Sequence, residues 1–235
     1  MIERRRLLLM RHGAVDYFDH AGRPIKDPQS VPLTPDGQTQ AQAMGRALAS
    51  SGVRIDRVIT SGLTRTTQTA ALVLDAAGMA LRIECRPDLE EIRAGHLGSI
   101  PNEVLPDAFL GAFAGPVDET VRFLNGETVG ALLDRVLTAT SAILAEDDWD
   151  TLLLVAHGGV NRAILSWFLT GQRRLLGGLE QAPACLNVID VAANPRDNLV
   201  RVVNYSPLDA LHTSSRQSTM EQLLATYLKS REPAR

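Results

Sequence analysis

The chain has 235 residues, 45% of them hydrophobic, and a formal net charge of −3 at pH 7. A chain of this length buries well over half of the surface that its unfolded form exposes, so it can build a core without disulfides. The slightly acidic charge balance excludes the protein-wide basic surface that nucleic acids and anionic membranes require. We therefore expect a single domain over residues 1–235, in which any anion site is a local cluster of cations.

The cysteines and the apolar runs indicate the compartment. Cys85 and Cys185 lie far apart in strand-like runs, which predicts two buried free thiols rather than a disulfide. The longest apolar runs, such as TLLLVA at 151–156, are too short to span a bilayer. No small-residue cleavage site follows the basic start MIERRRLLLM, so no secretion signal is indicated. These features predict a cytoplasmic protein.

Apolar runs alternate with amphipathic segments along most of the chain, which is the pattern of parallel strands joined by crossover helices. We predict strands at 7–10, 57–60, 81–85 and 151–156. We predict helices at 34–51, at 65–77, from residue 129 onward, and at 160–169. Two strand-like runs, 186–192 and 199–205, flank a turn at 194–198 as an antiparallel hairpin, and a terminal helix follows at 220–228.

Local signals support two of these helices. Thr34 can cap the first helix while Pro35 takes its first position, and Gly52 follows its end. The third helix has an apolar stripe at three- and four-residue spacing. Its members are Val129, Leu132, Leu133, Val136 and Leu137.

Residues 101–125 show no long period and carry Phe109, Phe113 and Phe123. The segment is interpreted either as a lid of short helices over a pocket or as an elaborated crossover. The predicted fold class is α/β. It is a three-layer α/β/α sandwich with a mostly parallel sheet, an antiparallel edge strand and a helical lid insertion at 101–125.

Charged and imidazole side chains follow the predicted strands at the point where each strand ends. Because the carboxyl ends of parallel strands share one edge of a sheet, we expect these side chains to lie in a common crevice. They are Arg11 and His12, Arg65, Glu90 and Glu91, and His157.

This set of residue types favours phosphoryl transfer. The guanidinium groups of Arg11 and Arg65 match phosphate oxygens in pairs. A neutral His12 offers a ring nitrogen as nucleophile toward phosphorus, and His157 can donate a hydrogen bond to a phosphoryl oxygen. A carboxylic acid can protonate the departing alkoxide and later deprotonate water.

Glycines accompany these side chains. Gly13, Gly158 and Gly159 allow a close approach of the backbone, and the amides that open the helix after His157 can face an anion.

At these positions the chain resembles the histidine phosphatase superfamily, which has the phosphoglycerate mutase-like fold. The matching segments occur in the family's order over most of the chain. They are MRHG at 10–13, LTPDGQTQA at 33–41, TSGLTRTTQTA at 60–70, LEEIRAG at 89–95, GET at 126–128 and LVAHGGVNRAIL at 154–165.

The resemblance implies that His12 is the phosphorylated nucleophile and that Arg11, Arg65 and His157 hold the phosphoryl group. It implies a glutamate of LEEIRAG as the acid. The family commonly has this glutamate four residues before a glycine, which selects Glu91 over its neighbour. It also implies that neither a metal nor another cofactor takes part.

The chain departs from the family's pattern at two places. The family often continues RHG with Glu or Gln, then Thr or Ser, and later Asn, whereas this chain has Ala14, Val15 and Phe18. A WEG-like triplet often follows the acid, whereas residues 97–99 read LGS. The apolar residues after RHG cannot make the polar contacts to phosphate or substrate that the family's residues make. The sequence therefore predicts the type of reaction better than it predicts the substrate.

The expected activity is hydrolysis of a small phosphorylated metabolite through phospho-His12. The alternative is that the chain is a phosphoglycerate mutase. A mutase requires a site that holds two phosphates and excludes water from the phosphoenzyme. The apolar Ala14, Val15 and Phe18 favour the phosphatase. A binding module without turnover is the third interpretation, and His12 beside an acid argues against it. The expected partners are the metabolite and, as one option, a second copy in a homodimer.

Overall fold

The computed structural model describes residues 2–19 and 23–231. Six strands form one sheet: β1 (Arg4–Arg11), β2 (Arg57–Thr60), β3 (Ile83–Cys85), β5 (Thr151–Ala156), β7 (Leu186–Ala192) and β8 (Leu199–Tyr205). The short strands β4 (Pro116–Val117) and β6 (Leu175–Leu176) pair with each other. The helices are α1 (Pro35–Ser50), α2 (Thr64–Ala76), α3 (Leu105–Leu110), α4 (Val129–Ala145), α5 (Gly158–Thr170) and α6 (Thr219–Arg231).

The main sheet has the order β3-β2-β5-β1-β7-β8. The first four strands in this order are parallel, with Leu8 of β1 opposite Leu153 of β5. Strand β7 pairs with β1 in the antiparallel sense and places Val188 opposite Leu8. The predicted α/β fold with a mostly parallel sheet is confirmed. The strand that runs against the others is β7, and β8 covers its outer side, so the antiparallel strand lies one position in from the edge.

The alternation of side chains along the strands explains the three layers. Successive residues of a strand point to opposite faces, so Leu7 and Leu9 enter one hydrophobic cluster while Leu8 and Met10 enter another. The first cluster contains the apolar faces of α4 and α5. The second contains those of α1 and α2. One helical layer therefore covers each face of the sheet.

The predicted cap of the first helix is present. The Thr34 side chain accepts a hydrogen bond from the Gly37 amide at 3.0 Å, and Pro35 occupies the first helical position. Helix α5 begins at Gly158, two residues earlier than predicted, and Gly171 caps its C-terminus in the left-handed conformation. The predicted hairpin is also present, with β7 and β8 joined through a short helical turn at Pro195–Asp197.

The prediction that Cys85 is buried was wrong. The residue is exposed, whereas Cys185 is buried and both are free thiols. Strand β3 lies at the end of the sheet and is paired on one side only, so a strand-like run there does not produce burial.

The segment 101–125 folds into α3, short helical turns and β4. Phe109 is buried and lies 6.0 Å from the ring of Tyr227 on α6, while Phe113 meets Phe123 edge to face at 5.4 Å. These aromatic side chains join the segment to the core and to the last helix. Among the helices of the described chain, none combines the length and apolarity needed to cross a membrane.

Candidate active site

The carboxyl ends of β1, β2 and β5 place the predicted side chains side by side. These three strands are neighbours in the sheet, with β5 between the other two. Arg11 ends β1 and His12 follows it, Arg65 lies in the first turn of α2, and His157 follows β5. All four side chains are buried. The structure therefore brings two guanidinium groups and two imidazoles into one enclosed place.

His12 carries a defined tautomer. Its Nδ1 lies 2.7 Å from the carbonyl oxygen of Gly13, which can only accept, so Nδ1 carries the ring proton. Burial lowers the pKa of His12 well below 6.5, and the nearby charges of Arg11 and Arg65 lower it further. The ring is therefore neutral at pH 7, with the lone pair on Nε2.

His157 lies against His12, with ring centroids 5.2 Å apart in an edge-to-face arrangement. Its Nε2 is 2.8 Å from Oγ of Ser61, which is itself 3.1 Å from Oγ1 of Thr66. Its Nδ1 is buried and has no hydrogen-bond partner among the described residues. Burial lowers the pKa of His157 well below 6.5, and the interactions with His12, Arg65 and Arg11 add to this effect.

The two arginines are each anchored through one nitrogen. Nη1 of Arg11 donates to the Gln181 carbonyl and, at 3.0 Å, to Oγ1 of Thr219 at the start of α6. Nη1 of Arg65 donates to the Pro28 carbonyl at 2.9 Å. These contacts fix the direction of both guanidinium groups.

Buried side-chain nitrogens without partners indicate what kind of ligand the site would bind. In residues 2–19 and 23–231, four buried side-chain nitrogens have no hydrogen-bond partner, and three of them are Nε of Arg11, Nε of Arg65 and Nδ1 of His157. A buried polar group without a partner costs about 1–3 kcal/mol. Since the three lie in one place and two belong to cations, the arrangement fits an anion rich in acceptor oxygens, such as a phosphoryl group.

Glu91 reaches the same place from the segment after β3. Its two carboxylate oxygens accept from the Gly159 amide at 3.1 and 3.0 Å, and the Ile92 amide donates to one of them at 2.9 Å. A side chain on Gly159 would lie 2.5 Å from that carboxylate. At Gly158 a side chain would lie 3.7 Å from both Nε of Arg11 and Oε2 of Glu91. The carboxylate therefore lies at the N-terminus of α5, beside Arg11.

Gly13 makes its contacts within the protein. A Cβ at this position would lie 2.4 Å from the carbonyl oxygen of Gly37, so only glycine lets the loop after β1 pack on α1. The Gly13 amide donates to Oγ1 of Thr69 at 3.1 Å, and its carbonyl accepts from His12. Gly13 thereby orients the imidazole, while direct contact of Gly13 with a ligand stays a prediction.

Sequence reasoning did not single out three residues at this place. The ring of Tyr17 lies 5.8 Å from the Arg65 guanidinium, and burial raises the pKa of its hydroxyl. Ser61 follows β2 directly within the quoted TSGLTRTTQTA segment, so its position after a strand could have identified it. Thr219 comes from the far end of the chain, and no pattern in the sequence connects it with Arg11.

Metal independence stays a prediction. Within the described part of the chain, no group of three or more His, Cys, Asp or Glu side chains is placed to hold a metal ion. Two guanidinium groups supply positive charge at the same place.

Comparison with known families identifies the family to which the chain belongs. Residues 7–204 match the model of the histidine phosphatase superfamily (branch 1). The chain belongs to this superfamily. The resemblance predicted from the motifs is confirmed, and the matched region spans the sheet from β1 to β8.

Proteins that resemble the chain carry the names of different activities. The chain is 32% identical over 171 residues to a Yersinia enterocolitica protein named "Probable phosphoglycerate mutase GpmB", covering 69% of this chain and 74% of that one. The solved Shigella flexneri alpha-ribazole phosphatase shares the fold at a TM-score of 0.62, with 24% identity and coverage of 85% and 96%. A mycobacterial glucosyl-3-phosphoglycerate phosphatase shares it at 0.64, with 20% identity and coverage of 87% and 100%.

Proposed function

We propose that this histidine phosphatase superfamily member is a metal-independent phosphatase that hydrolyses a small phosphorylated metabolite through a phosphohistidine at His12. One observation carries the proposal: the unprotonated Nε2 of His12 lies among unpartnered buried donors of Arg11, Arg65 and His157. A phosphoryl group satisfies those donors with its oxygens and offers its phosphorus to the nitrogen.

The first step forms the phosphoenzyme. Nε2 of His12 attacks phosphorus, the bond from phosphorus to the ester oxygen breaks, and the departing alkoxide takes the proton of Glu91 in its acid form. The products are phospho-His12, a free alcohol and the Glu91 carboxylate. The position of Glu91 at the start of α5, beside Arg11, supports this role.

The second step releases phosphate. The Glu91 carboxylate takes a proton from water, and the oxygen of that water attacks phosphorus as the bond from phosphorus to Nε2 breaks. His12 returns to its neutral form and Glu91 to its acid form. The same carboxyl group therefore serves first as acid and then as base.

Fixed positive charge replaces a metal ion in this scheme. Arg11 and Arg65 are held by carbonyl acceptors and direct their remaining N–H groups at the phosphoryl oxygens, where negative charge concentrates during transfer. When Ser61 donates to Nε2 of His157, the single ring proton lies on Nδ1 and donates to the third oxygen.

The name of the Yersinia relative suggests a second candidate, phosphoglycerate mutase activity. A mutase holds a second acidic group of its substrate near the phosphohistidine and keeps water away. In this chain Ala14, Val15 and Phe18 supply no polar side chain for that group. Incubation with 3-phosphoglycerate separates the two activities, since a phosphatase gives inorganic phosphate and a mutase gives 2-phosphoglycerate.

Rapid mixing with p-nitrophenyl phosphate tests the phosphatase. We expect one phosphate per chain, stable in base and labile in acid, as a phosphohistidine is, and we expect none on His12→Ala. His96→Ala is the matched control because His96 is exposed and lies outside the site. Acid-stable phosphate on a serine or aspartate, or an unchanged yield with His12→Ala, contradicts the proposed mechanism.

A further inference from the structure

Arg135 on α4 uses all five of its N–H groups within the protein. Nε and Nη2 donate to the two carboxylate oxygens of Glu127 at 2.8 and 2.9 Å. Nη1 donates to the carbonyls of Asp88 and Glu90 at 2.9 and 2.6 Å, and Nη2 donates to that of Glu91 at 3.0 Å. A guanidinium has five donors in a fixed planar fork, so this arrangement leaves it no donor for a ligand. Arg135 therefore acts on the chain that carries Glu91.

Glu127 holds the same segment from the other side. Its carboxylate also accepts from the Arg93 amide at 2.9 Å, and its own amide donates to the Arg93 carbonyl at 2.8 Å. Both partners of the ion pair are largely buried, with side-chain exposures of 13% for Arg135 and 8% for Glu127. Burial alone would raise the pKa of Glu127, but the hydrogen bonds from Arg135 and Arg93 bring this pKa below its ordinary value. The pair is thus ionised and rigid at neutral pH.

The backbone around Gly126 and the backbone around Gly95 approach each other too closely for either residue to carry a side chain. A Cβ on Gly126 would lie 2.3 Å from the Arg93 carbonyl oxygen, and one on Gly95 would lie 2.5 Å from that of Leu124. These glycines belong to the GET and LEEIRAG motifs. Their close contact locks the segment 123–127 against the segment 93–95.

Glu91 is the residue that this contact positions. Arg135 holds its carbonyl, while the Gly159 amide holds its carboxylate at the start of α5. We propose that Glu127 and Arg135 are positioning residues, which set the Glu91 carboxylate at the distance from the ester oxygen that proton transfer requires. This inference rests on the proposed phosphatase mechanism. Neither residue touches the substrate.

Proton transfer matters in proportion to how poorly the leaving group departs. General acid catalysis contributes roughly 10²–10⁴-fold when the departing oxygen is strongly basic. Phenolate needs this help more than p-nitrophenolate does, and the two substrates have nearly the same shape. A displaced Glu91 therefore slows phosphorylation by phenyl phosphate far more than phosphorylation by p-nitrophenyl phosphate.

The test measures single-turnover phosphorylation of His12 by both substrates in the wild type, Arg135→Lys and Glu127→Gln. Lysine keeps the charge but lacks the planar fork, and glutamine keeps the shape but lacks the charge. We expect each variant to lose at least about tenfold more rate with phenyl phosphate than with p-nitrophenyl phosphate. Arg173→Lys is the matched control, since Arg173 forms exposed ion pairs with Glu119 and Asp134.

Inorganic phosphate binding shows whether each variant is folded, because Arg11 and Arg65 are unchanged. If Arg135→Lys does not fold, Glu127→Gln decides, since it removes the carboxylate that holds the Arg135 fork but leaves Arg135 itself in place. Equal losses with both substrates, or unchanged rates, overturn the positioning role. Absence of phosphohistidine in the wild type overturns the proposed function instead, so the two failures are distinguishable.

Discussion

Nε2 of His157 lies 2.8 Å from Oγ of Ser61, and the opposite ring nitrogen has no partner among the described residues. In the proposed mechanism Ser61 donates to Nε2, so the ring proton lies on Nδ1 and can donate to the phosphoryl group. We expect Ser61→Ala to lower kcat/KM for p-nitrophenyl phosphate about tenfold or more, since loss of a buried partner costs about 1–3 kcal/mol. Ser99→Ala, at an exposed serine, is the control. Full activity of Ser61→Ala would remove Ser61 from the mechanism.

The pKa values of His12 and His157 predict how activity depends on pH. Because both pKa values lie well below 6.5 in the folded protein, the rings stay neutral as the pH falls through 6.5. We expect kcat/KM to show no loss with an apparent pKa near 6.5. A pH profile of kcat/KM with p-nitrophenyl phosphate checks this, and an acid limb centred at the ordinary histidine pKa contradicts it.

The same two groups predict how stability depends on pH. Below pH 6.5 the unfolded chain binds protons at these histidines while the folded chain does not, so the free energy of unfolding decreases as the pH falls. Each such group contributes a slope of up to about 1.4 kcal/mol per pH unit, until its folded pKa is reached. Urea denaturation between pH 5 and 8 measures the slope. We expect His12→Asn to reduce it, and an unchanged slope would count against the buried neutral imidazole.

The two thiols should differ in reactivity. Cys85 is exposed, whereas burial raises the pKa of Cys185 to about 12. We expect a thiol reagent such as dithionitrobenzoate to label one cysteine in the native protein and both after denaturation. Cys85→Ser should abolish the native reaction. Two rapidly labelled thiols in the native protein would show that Cys185 is accessible.

Gly13→Ala should both destabilise and inactivate the protein. The added Cβ meets the Gly37 backbone at 2.4 Å, and backbone on that side cannot move without shifting α1. We expect a loss of roughly 1–3 kcal/mol in the free energy of unfolding. Gly98→Ala is the control because nothing lies within 4 Å of its Cβ position. Equal melting temperatures for the two variants would contradict the packing role of Gly13.

Removal of metal ions should leave activity intact. In the proposed mechanism, Arg11 and Arg65 supply the fixed positive charge that metal ions supply in metal-dependent phosphatases. We expect full p-nitrophenyl phosphate hydrolysis after exhaustive treatment with EDTA. Loss of activity that Mg²⁺ or Zn²⁺ restores would contradict the proposed mechanism.

Much of this fold follows from short-range patterns. The four parallel strands, the cap at Thr34 and the hairpin after Leu186 are each specified by residues close together in sequence, and each is present. The gathering of charged groups followed from a single geometric rule, that carboxyl ends of parallel strands share an edge. That rule needs no knowledge of strand order.

Some features that depend on contacts between distant parts of the chain could not be predicted from the sequence. A strand-like run does not reveal whether it lies at the edge of a sheet, so Cys85 was wrongly expected to be buried. Two glycines at 158 and 159 lower helix propensity and hid the true start of α5, where the Gly159 amide meets Glu91. The contact between Arg11 and Thr219 joins the first strand to the last helix and leaves no local signal.

The central place of β1 has a consequence for how the protein is made. Its neighbours β5 and β7 both come from the second half of the chain, so a growing polypeptide exposes an apolar strand with two open edges until those neighbours appear. Pairings so distant in sequence also form slowly. We expect fragments that stop before β7 to aggregate through residues 7–10. The arrangement that surrounds His12 with groups from both halves of the chain thus makes the crevice around His12 one of the last parts of the molecule to form.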